Sequence, residues 1–145
     1  MHPDLKKLWI ESRDTWAPTL TSLAGSYPLI GAACFDGKPI SKSNSHVSNK
    51  FTGRKVLPTK YRDYEYGMAM QARAAFGIKN LTQGWVVFFN FFQNKKHIDI
   101  NNVTKSGMDF LQAAQVLKHD KYIGVVSMPA VYGAEGLGMM IWGTP

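Results

Sequence analysis

The segment Gly84–Phe92 constrains the fold more than any other part of the sequence. It reads GWVVFFNFF, a run of β-branched and aromatic residues interrupted by one amide, Asn90. Such residues favour strands. Because the aromatic side chains fall on both faces instead of alternating with polar ones, we expect a central, buried strand rather than an exposed platform for stacking bases. The run is also far shorter than the ~20 residues that a membrane-spanning helix needs.

The rest of the chain predicts helices and further strands around this one. Apolar spacing predicts a first helix over residues 4–23, which Pro18 should kink or split. The last two strands, separated by a turn at Pro129–Gly136, are expected to pair as a hairpin. The order indicates an α+β fold with a mixed β-sheet flanked by helices. The remaining predicted elements are strand 28–35, helix 59–76, helix 103–114 begun by an N-cap at Asn101–Asn102, and strands 121–128 and 137–142.

Composition limits the class of protein. The chain has 145 residues, 45% of them hydrophobic, which indicates a globular protein with one main domain. Its single cysteine, Cys34, cannot form an intrachain disulfide, so a reducing compartment is expected. The first residues contain no apolar signal segment. We therefore expect a cytoplasmic protein with no membrane partner.

The net charge of +7 is unevenly distributed. Residues 38–62 carry seven Lys and Arg side chains and no carboxylate, among many Ser, Asn and Gly. This composition is typical of a solvated loop, but Lys, Arg and small polar donors also make most protein contacts to the DNA backbone. We interpret the stretch as an arm that contacts phosphates. The candidate DNA-binding residues are Lys42, Asn44, Lys50, Arg54, Lys55, Lys60 and Arg62, with Lys95 and Lys96.

A few polar residues after the apolar strand could carry chemistry. Asp99 precedes a predicted helix, Asn101 points to the same face of an extended chain, and Lys105 follows on the helix. Asp120 precedes the next strand. One or two carboxylates, waters and phosphate oxygens form a typical Mg²⁺ site. The alternative is that both aspartates only end local elements. No zinc spacing or phosphate-loop motif is present, and the histidines are scattered.

Bringing the two aspartates together within one chain is demanding. A helix of twelve residues carries the chain roughly 18 Å away from Asp99. Residues 115–119 would then have to return fully extended, at about 3.3 Å per residue. Either this return occurs within the chain, or the site is completed across a dimer.

These residues also resemble a known family in their order and spacing. The segment Asp99–Lys105, then Met108–Leu111, then His119-Asp120, is similar to the core of the RusA-type Holliday junction resolvases. Upstream, Ile40–Asn44 resembles the loop after the family's first strand. The resemblance extends from about Pro28 to Trp142. It divides the chain into an N-terminal helical extension, residues 1–26, and a RusA-like endonuclease domain, residues 27–145.

The resemblance implies a homodimeric, Mg²⁺-dependent endonuclease that cuts four-way DNA junctions, with Mn²⁺ as a possible substitute ion. It implies a role in recombination and repair in a bacterial or phage-infected cell. Asp99, Asp120 and the residue at position 101 would be metal ligands. Lys105 would hold the scissile phosphate or stabilise charge on it.

One position departs from the family pattern: Asn101 stands where the family has a second Asp. An amide keeps one oxygen of similar shape but lacks the negative charge. The chain should therefore fold and bind DNA but cut it weakly or not at all. A natural divergence and a deliberate inactivating exchange both explain this residue. A basic DNA- or RNA-binding protein without catalysis is the alternative function. An assembly protein that uses the apolar stripe of the first helix is a third.

Overall fold

The computed structural model describes residues 1–40, 47–48, 55–56 and 59–145, with only the backbone of the two short central pieces. Its helices are α1 (Pro3–Ala24), α2 (Thr59–Phe76) and α3 (Ile100–Ala113). The strands are β1 (Leu29–Asp36), β2 (Val47–Ser48), β3 (Lys55–Val56), β4 (Leu81–Phe92), β5 (Leu117–Ser127), β6 (Val131–Tyr132) and β7 (Gly136–Thr144). The fold is α+β with a mixed sheet, as the sequence predicts.

The main sheet has the strand order β1-β7-β4-β5, and β6 pairs with the end of β4. β7 is antiparallel to both of its neighbours, whereas β5 and β6 are parallel to β4. The predicted pairing of the last two long strands as a hairpin is therefore wrong. β4 lies between them, because its apolar side chains on both faces are best buried in the middle of the sheet.

Both faces of β4 are covered, which confirms its central position. Phe88 packs with α2 and α3 in one hydrophobic cluster, and its neighbour Phe89 packs with α1 in a second cluster on the opposite face. The structure thus has three layers, with α1 on one side of the sheet and α2 and α3 on the other.

The first helix is continuous through Pro18, so the predicted split does not occur. Leu20 and Ala24 beyond the proline are buried against the sheet, and this burial offsets the ~3 kcal/mol that a proline costs inside a helix. Two side chains of α1 lie directly over glycines of β7. A Cβ at Gly136 would lie 2.6 Å from Leu5, and one at Gly138 would lie 2.6 Å from Trp9.

The third helix begins earlier than expected. It starts at Ile100, and its N-cap is Asp99, whose Oδ1 accepts a hydrogen bond from the Asn101 N–H at 2.7 Å. The predicted N-cap at Asn101–Asn102 is wrong, because Asp99 is itself a strong capping residue and captures the first free amide. Lys95 and Lys96 lie in an exposed loop before this cap. In the described part of the chain, no helix has the length and apolar character to cross a bilayer.

Candidate active site at the N-terminus of α3

Three of the sequence-predicted site residues lie in the N-cap and first two turns of α3. Asp99 caps the helix, Asn101 lies in its first turn, and Lys105 follows four residues after Asn101 on the same face. All three side chains are exposed. The cluster therefore presents one carboxylate, one amide and one ammonium group to solvent, within about two helical turns.

Hydrogen bonds fix this end of α3 against the sheet. The Thr104 hydroxyl donates to the Ser127 hydroxyl at 3.0 Å, at the end of β5. Asn90, buried in β4, donates from Nδ2 to Ser127 Oγ at 3.0 Å and to the Met128 carbonyl at 2.8 Å. The network joins β4, β5 and α3, so the helix N-terminus has a defined position on the sheet.

His97 positions the turn that leads into Asp99. Its ring stacks on Phe92 with centroids 3.9 Å apart and planes within 9°. Nδ1 donates to the Ile98 carbonyl at 2.8 Å, so in the neutral ring Nε2 accepts from the Tyr132 hydroxyl at 3.1 Å. The sequence analysis did not include His97 among the site residues, although its position between two lysines and Asp99 could have indicated a role beside the site.

A basic cleft opens beside the cluster, between the end of β1 and the loop before α3. It carries the ammonium groups of Lys38 and Lys96, opposed by the single carboxylate of Glu135. The polar residues that line it are Lys38, Gln93, Asn94, Lys96, His97 and Glu135. Lys38 is the first basic residue of the predicted arm, and it lies in this cleft.

The predicted arm is only partly described. Lys42, Asn44, Lys50 and Arg54 lie outside the described residues, and Lys55 belongs to β3, of which only the backbone is described. Lys60 and Arg62 are exposed on the first turn of α2. The beginning of the arm is anchored to α3, because Ser106 donates to the Ile40 carbonyl at 3.2 Å.

Asp120 lies far from the cluster within the chain. It falls in an irregular stretch at the start of β5, where the pairing shifts from Leu81↔Leu117 to Gln83↔Tyr122. Asp99 is at the other end of the sheet, and the intervening α3 has 14 residues, or about 21 Å. The return of Asp120 to Asp99 within one chain does not occur. Accordingly, no group of three His, Cys, Asp or Glu side chains forms a metal cluster among the described residues.

The cluster offers oxygen atoms, the type of ligand that a hard divalent cation prefers. Asp99 keeps a second carboxylate oxygen beyond the one that caps α3, and Asn101 adds an amide oxygen. Mg²⁺ takes such oxygen ligands and fills the remaining positions with water and phosphate oxygens. Because Asp99 supplies its only negative charge, the described cluster by itself should bind a divalent cation weakly.

An α+β chain that presents a carboxylate, an amide and a basic cleft at one end of its sheet has groups suited to phosphodiester chemistry. The comparison with protein families agrees: residues 36–141 match the family described as endodeoxyribonuclease RusA. Because this match spans most of the chain, the protein belongs to the RusA endodeoxyribonuclease family. Family membership supports an endonuclease function on branched DNA. No curated protein matches the chain.

Proposed function

We propose that this protein resolves four-way DNA junctions by Mg²⁺-dependent hydrolysis, and that Asn101 weakens or abolishes cleavage. The observation that supports this proposal is the placement of Asp99, Asn101 and Lys105 in the cap and first two turns of α3, next in sequence to residues that line a basic cleft. In a chain of this family, oxygen donors and an ammonium group at one point suit phosphodiester chemistry.

Each residue of the cluster has a distinct role in this proposal. Asp99 and the Asn101 amide would hold the ion, which when bound supplies water activation and neutralises phosphate charge. Lys105 approaches the scissile phosphate from the same helix face. The N-terminus of α3 carries the positive end of the helix dipole, which favours a phosphate near the same point.

The DNA would lie across the end of the sheet that carries the cluster. Lys38 and Lys96 line the adjacent cleft, and Lys95 stands in the same loop. Ser106 holds Ile40, near the start of the arm, against α3, so phosphate contacts made by the arm would be coupled to the position of the helix. Lys42, Asn44, Lys50, Arg54, Lys55, Lys60 and Arg62 remain the proposed contacts of the arm and of α2.

The charge at position 101 decides the activity. Asn101→Asp should raise Mg²⁺ affinity and produce or strengthen cleavage of a synthetic four-way junction, because a second carboxylate enters the cluster. The measurements are calorimetric titration with Mg²⁺ and with Mn²⁺, and strand cleavage on denaturing gels. If the unaltered chain already cuts as fast as the Asn101→Asp variant, the role assigned to Asn101 is wrong.

Substitutions of Asp99 separate its two roles, capping the helix and binding the ion. Asp99→Asn keeps an oxygen for the Asn101 N–H, so stability should change little, whereas Asp99→Ala should lose about 1 kcal/mol. Both should abolish Mg²⁺ binding and cleavage in the Asn101→Asp background. Urea unfolding measures the first effect and calorimetry the second. Cleavage that survives Asp99→Asn would remove Asp99 from the proposed site.

A non-catalytic nucleic-acid-binding protein is the competing function, and Asn101 is the observation that favours it. Metal-dependent cutting by the Asn101→Asp variant, with junction binding unchanged, distinguishes a weakened nuclease from a binding protein. The proposed activity places the protein where the DNA is, in the cytoplasm of a bacterial or phage-infected cell, with roles in recombination and repair.

A further inference from the structure

The connection between β4 and α3 has no regular secondary structure, so the orientation of Asp99 at its end depends on individual contacts. Residues 93–99 belong to neither a helix nor a strand. On the helix side, the Asp99 carbonyl accepts from the N–H groups of Asn102 at 3.1 Å and Val103 at 3.2 Å. These bonds fix the peptide unit that follows Asp99. The peptide unit before it, which contains the Ile98 carbonyl, lies outside the helix and needs a partner of its own.

The imidazole of His97 is this partner. Its Nδ1 lies 2.8 Å from the Ile98 carbonyl oxygen, and because a carbonyl only accepts, the ring hydrogen is on Nδ1. Nε2 of the neutral ring is then an acceptor, and it lies 3.1 Å from the Tyr132 hydroxyl, which donates to it. The hydroxyl therefore favours the ring tautomer that donates to Ile98. With the hydrogen on Nε2 instead, Nδ1 and the carbonyl would face each other as two acceptors.

The sheet places both aromatic neighbours of His97. Phe92 and Tyr132 are paired residues of the parallel strands β4 and β6, so their side chains lie next to each other on one face of the sheet. The His97 ring stacks on Phe92, which is buried in the main hydrophobic cluster, and its centroid lies 5.7 Å from that of Tyr132. The Gly133 N–H donates to the Phe92 carbonyl at 3.0 Å and holds the end of β6 against β4. The short strand β6 thus brings the Tyr132 hydroxyl within reach of the imidazole.

We propose that His97 and Tyr132 are positioning residues for Asp99, which hold its carboxylate in the direction that binds the ion. His97 fixes the peptide unit before Asp99, and α3 fixes the one after it. The Asn101 N–H at 2.7 Å fixes one carboxylate oxygen, so the second oxygen has a defined direction. Removing groups that orient a metal ligand typically lowers ion affinity about 10- to 100-fold. The effect on ion binding rests on the proposed nuclease function, whereas the orientation of Asp99 does not.

The alternative is that His97 only packs on Phe92, and two substitutions of His97 separate these roles. His97→Phe keeps a stacked ring without a donor, whereas His97→Asn keeps an amide N–H at the place of Nδ1 without the ring. Tyr132→Phe removes the hydroxyl alone. Its matched control is Tyr27→Phe, because the Tyr27 hydroxyl also donates to one side-chain acceptor, Gln83 Oε1 at 3.3 Å, near the start of β4 and away from Asp99.

Nuclear magnetic resonance of the full chain without metal ion tests the orientation of Asp99. The three-bond couplings of its Hβ protons should correspond to one χ1 rotamer in the unaltered chain, and to an average over rotamers in His97→Phe and Tyr132→Phe. His97→Asn and Tyr27→Phe should keep the single rotamer. Circular dichroism checks that each variant is folded. Any other pattern overturns the positioning role, including averaging in the unaltered chain or averaging that follows the loss of the ring instead of the donor.

Calorimetric titration with Mn²⁺ in the Asn101→Asp background tests the effect on the ion. The affinity should fall about tenfold with His97→Phe, by a smaller factor with Tyr132→Phe, and not at all with Tyr27→Phe. Junction binding without metal ion should be the same in all variants. Equal ion affinities, or an equal loss of metal-free junction binding, would overturn the effect on the ion. A parent that neither binds the ion nor cuts refutes the proposed nuclease function instead, and the couplings then still decide the orientation of Asp99.

Discussion

Gly107 allows α3 to lie close against β4, and replacing it tests this packing directly. A Cβ at position 107 would lie 2.5 Å from Cε1 and 2.8 Å from Cζ of Phe88. Phe88 is 0% exposed and sits in the main hydrophobic cluster, so its ring cannot turn away into solvent. Gly107→Ala must therefore displace either the ring or the helix.

The control is Gly67 in α2, where a Cβ would meet nothing within 4 Å. Alanine is favoured over glycine inside a helix by about 1 kcal/mol, and this gain applies at both positions. Overpacking at Gly107 adds a cost of about 1–3 kcal/mol. Gly67→Ala should thus stabilise the protein, and the Gly107→Ala variant should be less stable than the Gly67→Ala variant by that overpacking cost.

Urea unfolding followed by circular dichroism measures both free energies, and thermal unfolding should show a difference of roughly 3–10 °C in Tm. The helix gain cancels in the comparison, so the difference reports the contact with Phe88 alone. Equal stability of the two variants would show that α3 can move away from β4 at no cost, and would refute the close packing at Gly107.

Three further predictions concern titration, the buried network and DNA binding. Burial, and then Asp36, raises the pKa of the Cys34 thiol to about 12, and burial raises the pKa of the Tyr64 hydroxyl to about 12. Because the folded protein holds both groups neutral while the unfolded chain would ionise them, the free energy of unfolding should be constant below about pH 8.5 and fall as the pH rises toward 12. Urea midpoints measured across this pH range would detect the fall. Asn90→Leu leaves the Met128 carbonyl without its donor and should cost about 1–3 kcal/mol in thermal unfolding; an unchanged Tm would mean that another donor replaces it. Replacing Lys60 and Arg62 together by Ala should reduce the salt dependence of junction binding by about 1.8 log units per log unit of salt if each contacts a phosphate, and an unchanged slope would place α2 away from the DNA.

The elements themselves were predictable because their signals are local. β4 is identified by apolar residues on both faces, and α2 has the predicted bounds of 59–76. The pairing of β5 with β4 instead of β7 was not predictable, because it depends on which strands compete for the middle of the sheet. The start of α3 was ambiguous for a similar reason: Asp99, Asn101 and Asn102 all suit an N-cap, and the packed position of the helix selects Asp99.

The candidate site also combines features set by the local sequence with features set by long-range packing. Asp99, Asn101 and Lys105 could be placed near one another from the sequence because one helix and its cap hold all three, but their role as a site stays a prediction. The place of Asp120 depends on the path of the chain after α3, which short-range patterns do not determine. Asn90 was read only as an interruption of an apolar strand, yet its amide joins β4 to Met128 and to Ser127, which contacts α3.

The position of β7 also determines when the protein can finish folding. This strand comes last in the sequence but lies between β1 and β4, and its glycines receive Leu5 and Trp9 of the first helix. During synthesis, α1 and β1 emerge long before the strand on which they pack. Such long-range closure is slow, and until β7 arrives β1 and β4 expose edges that can pair with other chains. We therefore expect chains cut before Gly136 to aggregate rather than to retain a partial fold, a liability created by strand order and not by weak packing.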